Sequence, residues 1–265
     1  MASQHDLIIL IPIYQPQLSP LEQFSVSHSL RQLKAGRQVA FIGPVGLDLS
    51  AYERLYPGIP CIRFPEACFS SIKGYNRLLM STAFYEHFKA FEFMLVLQTD
   101  AILLRDELDQ WTSAPFDYVG APWPDGLELQ FNLDRFASAP PKRLKVHVGN
   151  GGLSLRRNQA CIDLLQEFPQ AQNYFIQSGS SEDLFFSFTG AVSQRFLIPN
   201  ETRASLFSLE LKPRMYFEMN QDQAPMGGHA WWKYEPQFWQ EQLGQAGTAV
   251  ASLMPTRPTD AIPAA

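Results

Sequence analysis

Apolar runs of strand length alternate with helix-like segments along the first hundred residues, and this alternation restricts the fold more than any other feature of the sequence. Residues 7–14 and 38–43 are two such runs, and helix signals fill the interval between them. Two strands and a helix within about forty residues form a β-α-β unit, which requires parallel strands. We therefore predict an α/β fold with a doubly wound, mostly parallel central sheet flanked by helices.

Local signals locate the other elements. A helix start is indicated by Ser19 as the N-cap, Pro20 at the first helical position and Glu22 at the third, where it can complete a capping box. The helix is predicted to run from Pro20 to about Lys34. Residues 127–145 have the weakest pattern and are predicted to form a loop. Further helices are expected at residues 49–56, 71–88, 158–168 and 180–188, and further strands at residues 61–64, 93–98, 117–121, 146–155 and 204–211.

Length and composition indicate one domain. A chain of 265 residues, with 46% hydrophobic and 18% charged residues, can bury a substantial core. After Gly244 the sequence is rich in alanine, threonine and proline. We therefore predict a single domain over residues 1–243 and a disordered tail over residues 244–265.

Charge, cysteine content and hydropathy exclude several classes of protein. The formal net charge is −5 and no basic stripe is present, which argues against a nucleic-acid partner. Three cysteines without metal-site spacing favour free thiols in a reducing compartment. The apolar run at residues 7–11 is too short to span a bilayer, so we expect a cytoplasmic protein with at most peripheral membrane contact.

The first candidate ligand-binding residues follow from a rule of open α/β sheets, in which ligands bind beyond the carboxyl ends of the strands. Gln98, Thr99 and Asp100 come at the end of an apolar run. A carboxylate there can bind a divalent cation, and the cation can hold a diphosphate. The alternative is that Asp100 only caps the loop that follows.

A glycine-rich segment and a pair of acids are two further candidates. Gly149, Gly151 and Gly152 lack Cβ atoms, so they either let a ligand approach the backbone or mark a β-bulge. Glu182 and Asp183 open a predicted helix. Acids at that position stabilise the helix through its dipole, and one of them can also act as a general base.

One histidine and several tryptophans complete the set. His229 follows two glycines, and it can complete a metal site, contact a phosphate or pack in the interior. Trp123, Trp231 and Trp232 can each offer an indole face to a sugar ring, or they can belong to the core.

Taken in order, five segments resemble a domain family with GT-A-type glycosyltransferase character, over roughly residues 7–235. The segments are QTDAIL (98–103), DYVGAPW (117–123), VGNGGLSLR (148–156), SEDLFFSF (181–188) and GGHAWW (227–232). The resemblance implies a GT-A fold and an enzyme of polysaccharide biosynthesis. Such an enzyme moves a sugar from a nucleotide-diphosphate sugar to a hydroxyl of a glycan or glycolipid.

The same resemblance implies roles for individual residues. Asp183 is expected to be the catalytic base of an inverting transfer, with Glu182 binding the acceptor. Asp100 and His229 are expected to hold Mn²⁺ or Mg²⁺, and Gln98 stands where GT-A enzymes have the first acid of a DxD motif. The expected donor-binding residues are Pro12, Tyr14, Lys73, Asn76, Gln98, Thr99 and Asp100. The expected acceptor-binding residues are Trp123, Asn150, Gly151 and Gly152.

Two other functions stay open at this point, and a third is disfavoured. Gln98 also suits a metal-independent glycosyltransferase, in which His229 and Lys73 neutralise the diphosphate. A non-catalytic sugar- or nucleotide-binding module is the alternative outside the enzymes. A nucleotidylyltransferase is disfavoured, because residues 13–17 contain neither the glycine nor the basic residue expected after its first strand.

Overall fold

The computed structural model describes residues 7–131 and 142–254. Nine strands lie in these ranges, in two sheets. The strands are β1 (Leu7–Pro12), β2 (Gln38–Pro44), β3 (Cys61–Phe64), β4 (Phe93–Leu97), β5 (Ile102–Leu103), β6 (Tyr118–Phe131), β7 (Lys142–Arg157), β8 (Ser208–Leu209) and β9 (Gly227–Gly228).

Twelve α-helices lie in the same described ranges, together with two short 3-10 turns. The helices are α1 (Pro20–Gln32), α2 (Ser50–Leu55), α3 (Ile72–Leu79), α4 (Thr82–His87), α5 (Leu108–Thr112), α6 (Asn158–Glu167), α7 (Pro169–Ser178), α8 (Glu182–Val192), α9 (Glu201–Ser205), α10 (Pro213–Met219), α11 (Pro236–Leu243) and α12 (Gln245–Val250). None of the helices in the part of the chain described here is long and apolar enough to cross a membrane.

The main sheet has six strands in the order β3-β2-β1-β4-β7-β6. The first four are parallel, whereas β7 runs antiparallel to both β4 and β6. The predicted α/β architecture with a mostly parallel sheet is therefore confirmed. Because β1 and β4 are adjacent and parallel, the residues that follow Pro12 and Leu97 meet at one edge of the sheet.

Alternate residues of the central strands enter two separate hydrophobic cores. Ile8 and Leu10 of β1 belong to one buried cluster, whereas Ile9 and Ile11 belong to the other. The sheet is thus covered on both faces, as parallel sheets usually are, and this explains why the strand reads as a continuous apolar run.

The beginning of α1 confirms the predicted capping box. The backbone N–H of Glu22 donates to Oγ of Ser19, and the N–H of Ser19 donates to Oε2 of Glu22 at 2.9 Å. The helix predicted at residues 71–88 is instead two helices, α3 and α4. Ser81 separates them, because its Oγ donates to the carbonyl of Leu78 and accepts from the N–H of Phe84.

The loop predicted at residues 127–145 is wrong for its described part. Residues 127–131 and 142–145 belong to β6 and β7, which pair antiparallel, and residues 132–141 lie outside the described residues. The register shifts between Val119 and Ala121 and again between Pro122 and Leu127. These irregularities interrupt the period of two that identifies a strand in a sequence.

Two predictions in the C-terminal third also differ from the structure. Residues 204–211, predicted as one strand, contain the end of α9 and only the two-residue strand β8. The predicted tail begins with a helix, α12, whose Val250 is 1% exposed and belongs to a third hydrophobic cluster, together with Trp231 and Trp239. Residues 255–265 of the predicted tail lie outside the described residues.

The second sheet is small but it positions the site. Its order is β5-β9-β8, with β9 antiparallel to β5 and parallel to β8. Residue 100 precedes β5, Glu210 directly follows β8 and His229 directly follows β9. The pairing therefore brings three distant parts of the chain to the carboxyl end of β4.

Candidate functional site

A cavity of about 600 Å³ opens where β1 and β4 end. Its walls come from these two strand ends, from the start of α3 and from the segment after β9. The lining residues are Pro12, Tyr14, Glu22, Phe69, Ser70, Ser71, Ile72, Tyr75, Asn76, Gln98, Thr99, Asp100, His229, Trp232 and Lys233. A second cavity of about 790 Å³, between α6 and the end of α8, contains none of the predicted site residues.

Asp100 lies between two cationic side chains at the end of β4. Its Oδ1 is 3.1 Å from Nε2 of His229, and Nζ of Lys233 donates to its Oδ2 at 2.8 Å. Burial would raise the pKa of Asp100, but the positive charges of His229 and Lys233 outweigh burial and hold that pKa well below its usual range. Asp100 is therefore ionised at every physiological pH.

His229 lies between two carboxylates. Its Nδ1 is 3.4 Å from Oε1 of Glu210, within ion-pair distance but without the alignment of a hydrogen bond. Burial alone would lower the pKa of His229, but Asp100 and Glu210 raise it to about 10. In the absence of a ligand the ring is therefore an imidazolium at neutral pH, and with Lys233 it adds positive charge to the cavity.

Thr99 is fixed by the N-terminus of α1. Its Oγ1 donates to Oε1 of Glu22 at 2.7 Å, while Oε2 of the same carboxylate closes the capping box. One glutamate thus joins the first helix to the end of β4. The cap that the sequence predicts for local reasons also holds the backbone beside Asp100.

Two adjacent residues of α3 present polar atoms to the cavity. Asn76 is 5% exposed and no described residue forms a hydrogen bond with its side-chain amide. The hydroxyl of Tyr75 is buried near Gln98, without a well-formed hydrogen bond among the described residues. Buried polar groups are normally paired, so these atoms are available to a ligand that enters the cavity.

The glycine-rich segment of β7 separates the cavity from the acids of α8. A Cβ atom on Gly152 would overlap the ring of His229, and one on Gly151 would lie 2.6 Å from Oε1 of Glu182. These two glycines therefore give room to protein side chains on both sides of the strand. Asn150 donates through Nδ2 to Oε2 of Glu210, which links the same segment to the His229 side of the site.

Glu182 forms a buried ion pair. Nη2 of Arg156 donates to its Oε1 at 2.9 Å, and the two side chains are 0% and 6% exposed. Arg156 also donates to the hydroxyls of Ser154 and Tyr85. The expectation that Glu182 binds an acceptor is not supported by this position, because its carboxylate is committed to Arg156.

Asp183 has a different environment. Its Oδ1 accepts from the N–H of Leu184 at 2.7 Å and from Oγ of Ser181, and its Oδ2 is 3.4 Å from the backbone nitrogen of Gly151. Burial and the neighbouring charge of Glu182 raise the pKa of Asp183 to about 7. Asp183 does not line the cavity, and it lies on the other side of the glycine segment from His229.

The raised pKa of Asp183 has a consequence for stability. Between pH 4 and pH 7 the native state binds more protons at this residue than the unfolded chain, so this group lowers the stability of the native protein as the pH rises. Asparagine does not titrate. We therefore expect the free energy of unfolding of Asp183→Asn, measured relative to that of the wild type, to increase by about 1 kcal/mol from pH 5 to pH 8. This figure allows for partial contact of the carboxyl group with solvent. Urea unfolding at both pH values measures this gain, and equal pH dependence of the two proteins would contradict it.

Two of the expected ligand-binding residues lie elsewhere. Lys73 is exposed on α3 with its stem against Gly179, and it does not line the cavity. Trp123 is 9% exposed, and its indole packs on Gly149 inside the first core. Trp231 is also buried, with Nε1 donating to Ser25, and of the three tryptophans considered as sugar platforms only Trp232 lines the cavity.

Several site residues were not predicted from the sequence. Glu210, Lys233 and Arg156 had no motif that identified them, although Arg156 ends the segment VGNGGLSLR and Lys233 follows GGHAWW directly. Proximity to those segments was the available signal for both. Glu210 had no such signal, because only the pairing of β8 with β9 brings it to His229.

The cavity can accommodate one divalent cation. The Oδ1 of Asp100 and Nε2 of His229, 3.1 Å apart, are an oxygen and an imidazole nitrogen, a donor set that suits Mn²⁺ and, less well, Mg²⁺. Binding would require His229 to lose its proton. No group of three or more His, Cys, Asp and Glu side chains in the described ranges forms a complete protein site, so a ligand would supply the remaining donors.

Comparison with known proteins identifies a family. Residues 58–229 match the family described as "Protein of unknown function (DUF5672)". This range includes Asp100, the glycine segment, Asp183 and His229. No curated protein sequence matches the chain.

Two solved glycosyltransferases have similar structures. The apo form of mouse xyloside xylosyltransferase 1 gives a TM-score of 0.51 at 12% identity, covering 85% of this chain and 97% of that chain. The galactosyltransferase LgtC, in complex with donor and acceptor sugar analogs, gives 0.53 at 12% identity, covering 95% and 98%. At these identities the likeness concerns the fold alone, and the fold is that of GT-A glycosyltransferases.

Proposed function

This chain belongs to the DUF5672 family, and from its site we propose that it is a glycosyltransferase acting on a nucleotide-diphosphate sugar and a hydroxyl of a glycan or glycolipid. One observation carries the proposal. Asp100, three residues after β4, lines a cavity of about 600 Å³ in contact with His229 and Lys233, while Asp183 lies across the glycine segment. The cavity beside Asp100 can hold a diphosphate, and Asp183 can act as a base from a separate position.

The cavity suits the donor. Lys233 and His229 supply positive charge for the diphosphate, and Asn76 offers its side-chain amide to the nucleoside. Tyr14 is 56% exposed at the mouth, where its ring can stack on a base or a sugar. Mn²⁺ or Mg²⁺, held by Asp100 and His229, would neutralise the leaving diphosphate as the bond to the sugar breaks.

Asp183 suits the role of the base. Its raised pKa places its proton affinity close to neutral pH, where a general base is most effective. Asp183 takes the proton of the acceptor hydroxyl, the acceptor oxygen bonds to the anomeric carbon, and the bond from that carbon to the diphosphate oxygen breaks. Among the described acids of α8 that adjoin the glycine segment, Glu182 has a cationic partner and Asp183 has none. A single free base favours an inverting displacement.

A transfer assay tests this proposal. Purified protein is incubated with UDP-, GDP- and dTDP-sugars, with Mn²⁺ and with simple glycosides as acceptors, and released nucleoside diphosphate is measured. We expect one nucleotide class to be turned over. If the protein binds a nucleotide but releases no nucleoside diphosphate from any of the nucleotide sugars, it is a non-catalytic binding module.

A second candidate function is a metal-independent glycosyltransferase, and the contacts of Asp100 favour it. Both carboxylate oxygens already face cationic groups, and Gln98 adds no negative charge to attract a metal. In this mechanism Lys233 and His229 neutralise the diphosphate themselves.

The variant Asp100→Asn distinguishes the two mechanisms. If Asp100 holds a metal, we expect Mn²⁺-dependent nucleotide affinity to fall by about 10-fold or more. If the cations act alone, the variant removes a negative charge that competes with the diphosphate for Lys233 and His229, and nucleotide affinity without metal should stay equal or rise. The matched control is Asp109→Asn, which removes an aspartate 2.6 Å from Nζ of Lys34 and outside the cavity. Calorimetry measures both variants.

A further inference from the structure

Glu210 contacts both His229, on the cavity side, and Asn150, in the glycine segment, although it does not line the cavity. It is 9% exposed and follows β8 directly. Its Oε1 is 3.4 Å from Nδ1 of His229, and its Oε2 accepts from Nδ2 of Asn150. Each of its oxygens therefore has a different partner, one on the cavity side and one on the glycine segment.

The backbone fixes this contact. β8 and β9 are parallel, with Leu209 opposite Gly228, and the N–H of His229 donates to the carbonyl of Leu209 at 2.9 Å. The residues that follow the two strands, Glu210 and His229, are therefore held side by side. On the opposite side the imidazole lies against Gly152, where any Cβ atom would overlap it.

The two ring nitrogens of His229 consequently face different groups. Nδ1 faces Glu210 and Nε2 faces Asp100 in the cavity. A histidine that binds a metal through one nitrogen commonly directs the other toward a carboxylate, which fixes the ring and its tautomer. That carboxylate is itself usually held by a hydrogen bond, as Asn150 holds Glu210.

We infer that Glu210 is a positioning residue, which keeps Nε2 of His229 directed at the part of the cavity beside Asp100 where the cation and the diphosphate would bind. This inference rests on the proposed donor site and its metal ligands. It assigns Glu210 no contact with the sugar or the nucleotide. It also assigns Asn150 a second role, the orientation of Glu210, besides the acceptor contact expected from the sequence.

The test compares Glu210→Gln with the wild type by calorimetry. Mn²⁺ is titrated into each protein in the presence of UDP, GDP or dTDP, and the same nucleotides are titrated without metal. We expect Glu210→Gln to weaken Mn²⁺ binding by about 10- to 100-fold, with little change in nucleotide binding without metal or in the urea midpoint. A purely structural role would change the last two quantities as well.

The matched control is Glu201→Gln. Glu201 lies 3.2 Å from Nδ1 of His147, so it is also a glutamate beside a histidine, but it does not line the cavity. We expect Mn²⁺ affinity in this variant to equal that of the wild type.

A second measurement uses the wild type and does not depend on how a variant folds. Long-range ¹H–¹⁵N NMR of the histidine rings, with Mg²⁺ and the bound nucleotide, reports which ring nitrogen of His229 has the proton. We expect the proton on Nδ1. A proton on Nε2 would overturn the inference.

The outcomes separate this inference from the proposed function. Unchanged Mn²⁺ affinity in Glu210→Gln, or nucleotide binding that is independent of metal in the wild type, would overturn the role of Glu210 and leave the donor site in place. Absence of nucleotide binding by the wild type would overturn both.

Discussion

Replacement of Arg156 by methionine is expected to lower the free energy of unfolding by about 3–5 kcal/mol, because it leaves the carboxylate of Glu182 buried without its partner. Arg156 is fully buried and also lies over the ring of Tyr118, with the guanidinium carbon 5.2 Å from the ring centroid. Urea unfolding at pH 7 measures the change. A loss below about 1 kcal/mol would show that the pair contributes little.

Two further variants test whether the loss comes from the buried ion pair. Arg157→Met removes the next arginine, whose side chain is 26% exposed beside Asp117, and a loss of about 1 kcal/mol or less is expected. The double variant Arg156→Met, Glu182→Leu removes both charges. It should recover part of the loss, because an apolar pair of similar volume needs no desolvation of ions.

The second large effect concerns catalysis. Asp183→Asn is expected to reduce turnover by about 10²- to 10⁴-fold, since asparagine cannot accept the proton of the acceptor hydroxyl. Donor affinity should change little, because Asp183 does not line the cavity. The transfer assay measures turnover, and calorimetry measures donor affinity.

A suitable control for this effect is Asp163→Asn on α6. Asp163 is exposed, accepts from the side chain of Gln159 and does not line the cavity at the ends of β1 and β4. It should keep wild-type turnover. Equal turnover of Asp183→Asn and the wild type would remove Asp183 from the mechanism and direct attention to another acid.

The sequence predicted those features whose causes are local. The capping box of Ser19 and Glu22 needs only four consecutive residues, and the buried strand of residues 7–12 needs only its apolar run. The parallel sheet then brought Pro12, Tyr14 and Gln98 to one edge, as the rule for ligand sites in α/β folds requires.

The errors come from features that depend on tertiary contacts. Ser81 divides the predicted helix into α3 and α4, because its hydroxyl caps the start of α4. A serine can also lie within a continuous helix, and the sequence alone does not decide between the two positions. Trp123 belongs to the core because Gly149 leaves room for its indole, a contact between two paired strands. Glu182 was expected at an acceptor because its partner, Arg156, is distant in the chain.

Glu210 shows the same limit within the site. Its relation to His229 follows from the pairing of two-residue strands, which are too short to produce a period in a sequence. The glycines of β7 could be identified as a site feature, but their use could not. The sequence left open whether they admit a ligand or mark a β-bulge, and it gave no sign that Gly151 and Gly152 also make room for Glu182 and His229.

Calorimetric titration of the wild-type protein with UDP, GDP, dTDP and CMP, with and without Mn²⁺, tests the proposed donor site. We expect one nucleoside diphosphate to bind tightly in the presence of Mn²⁺, and we expect Asp100→Asn to lose this binding. Equal binding without Mn²⁺ would select the metal-independent mechanism. If none of the four nucleotides binds under either condition, the cavity at the ends of β1 and β4 is not a donor site and the glycosyltransferase proposal is wrong.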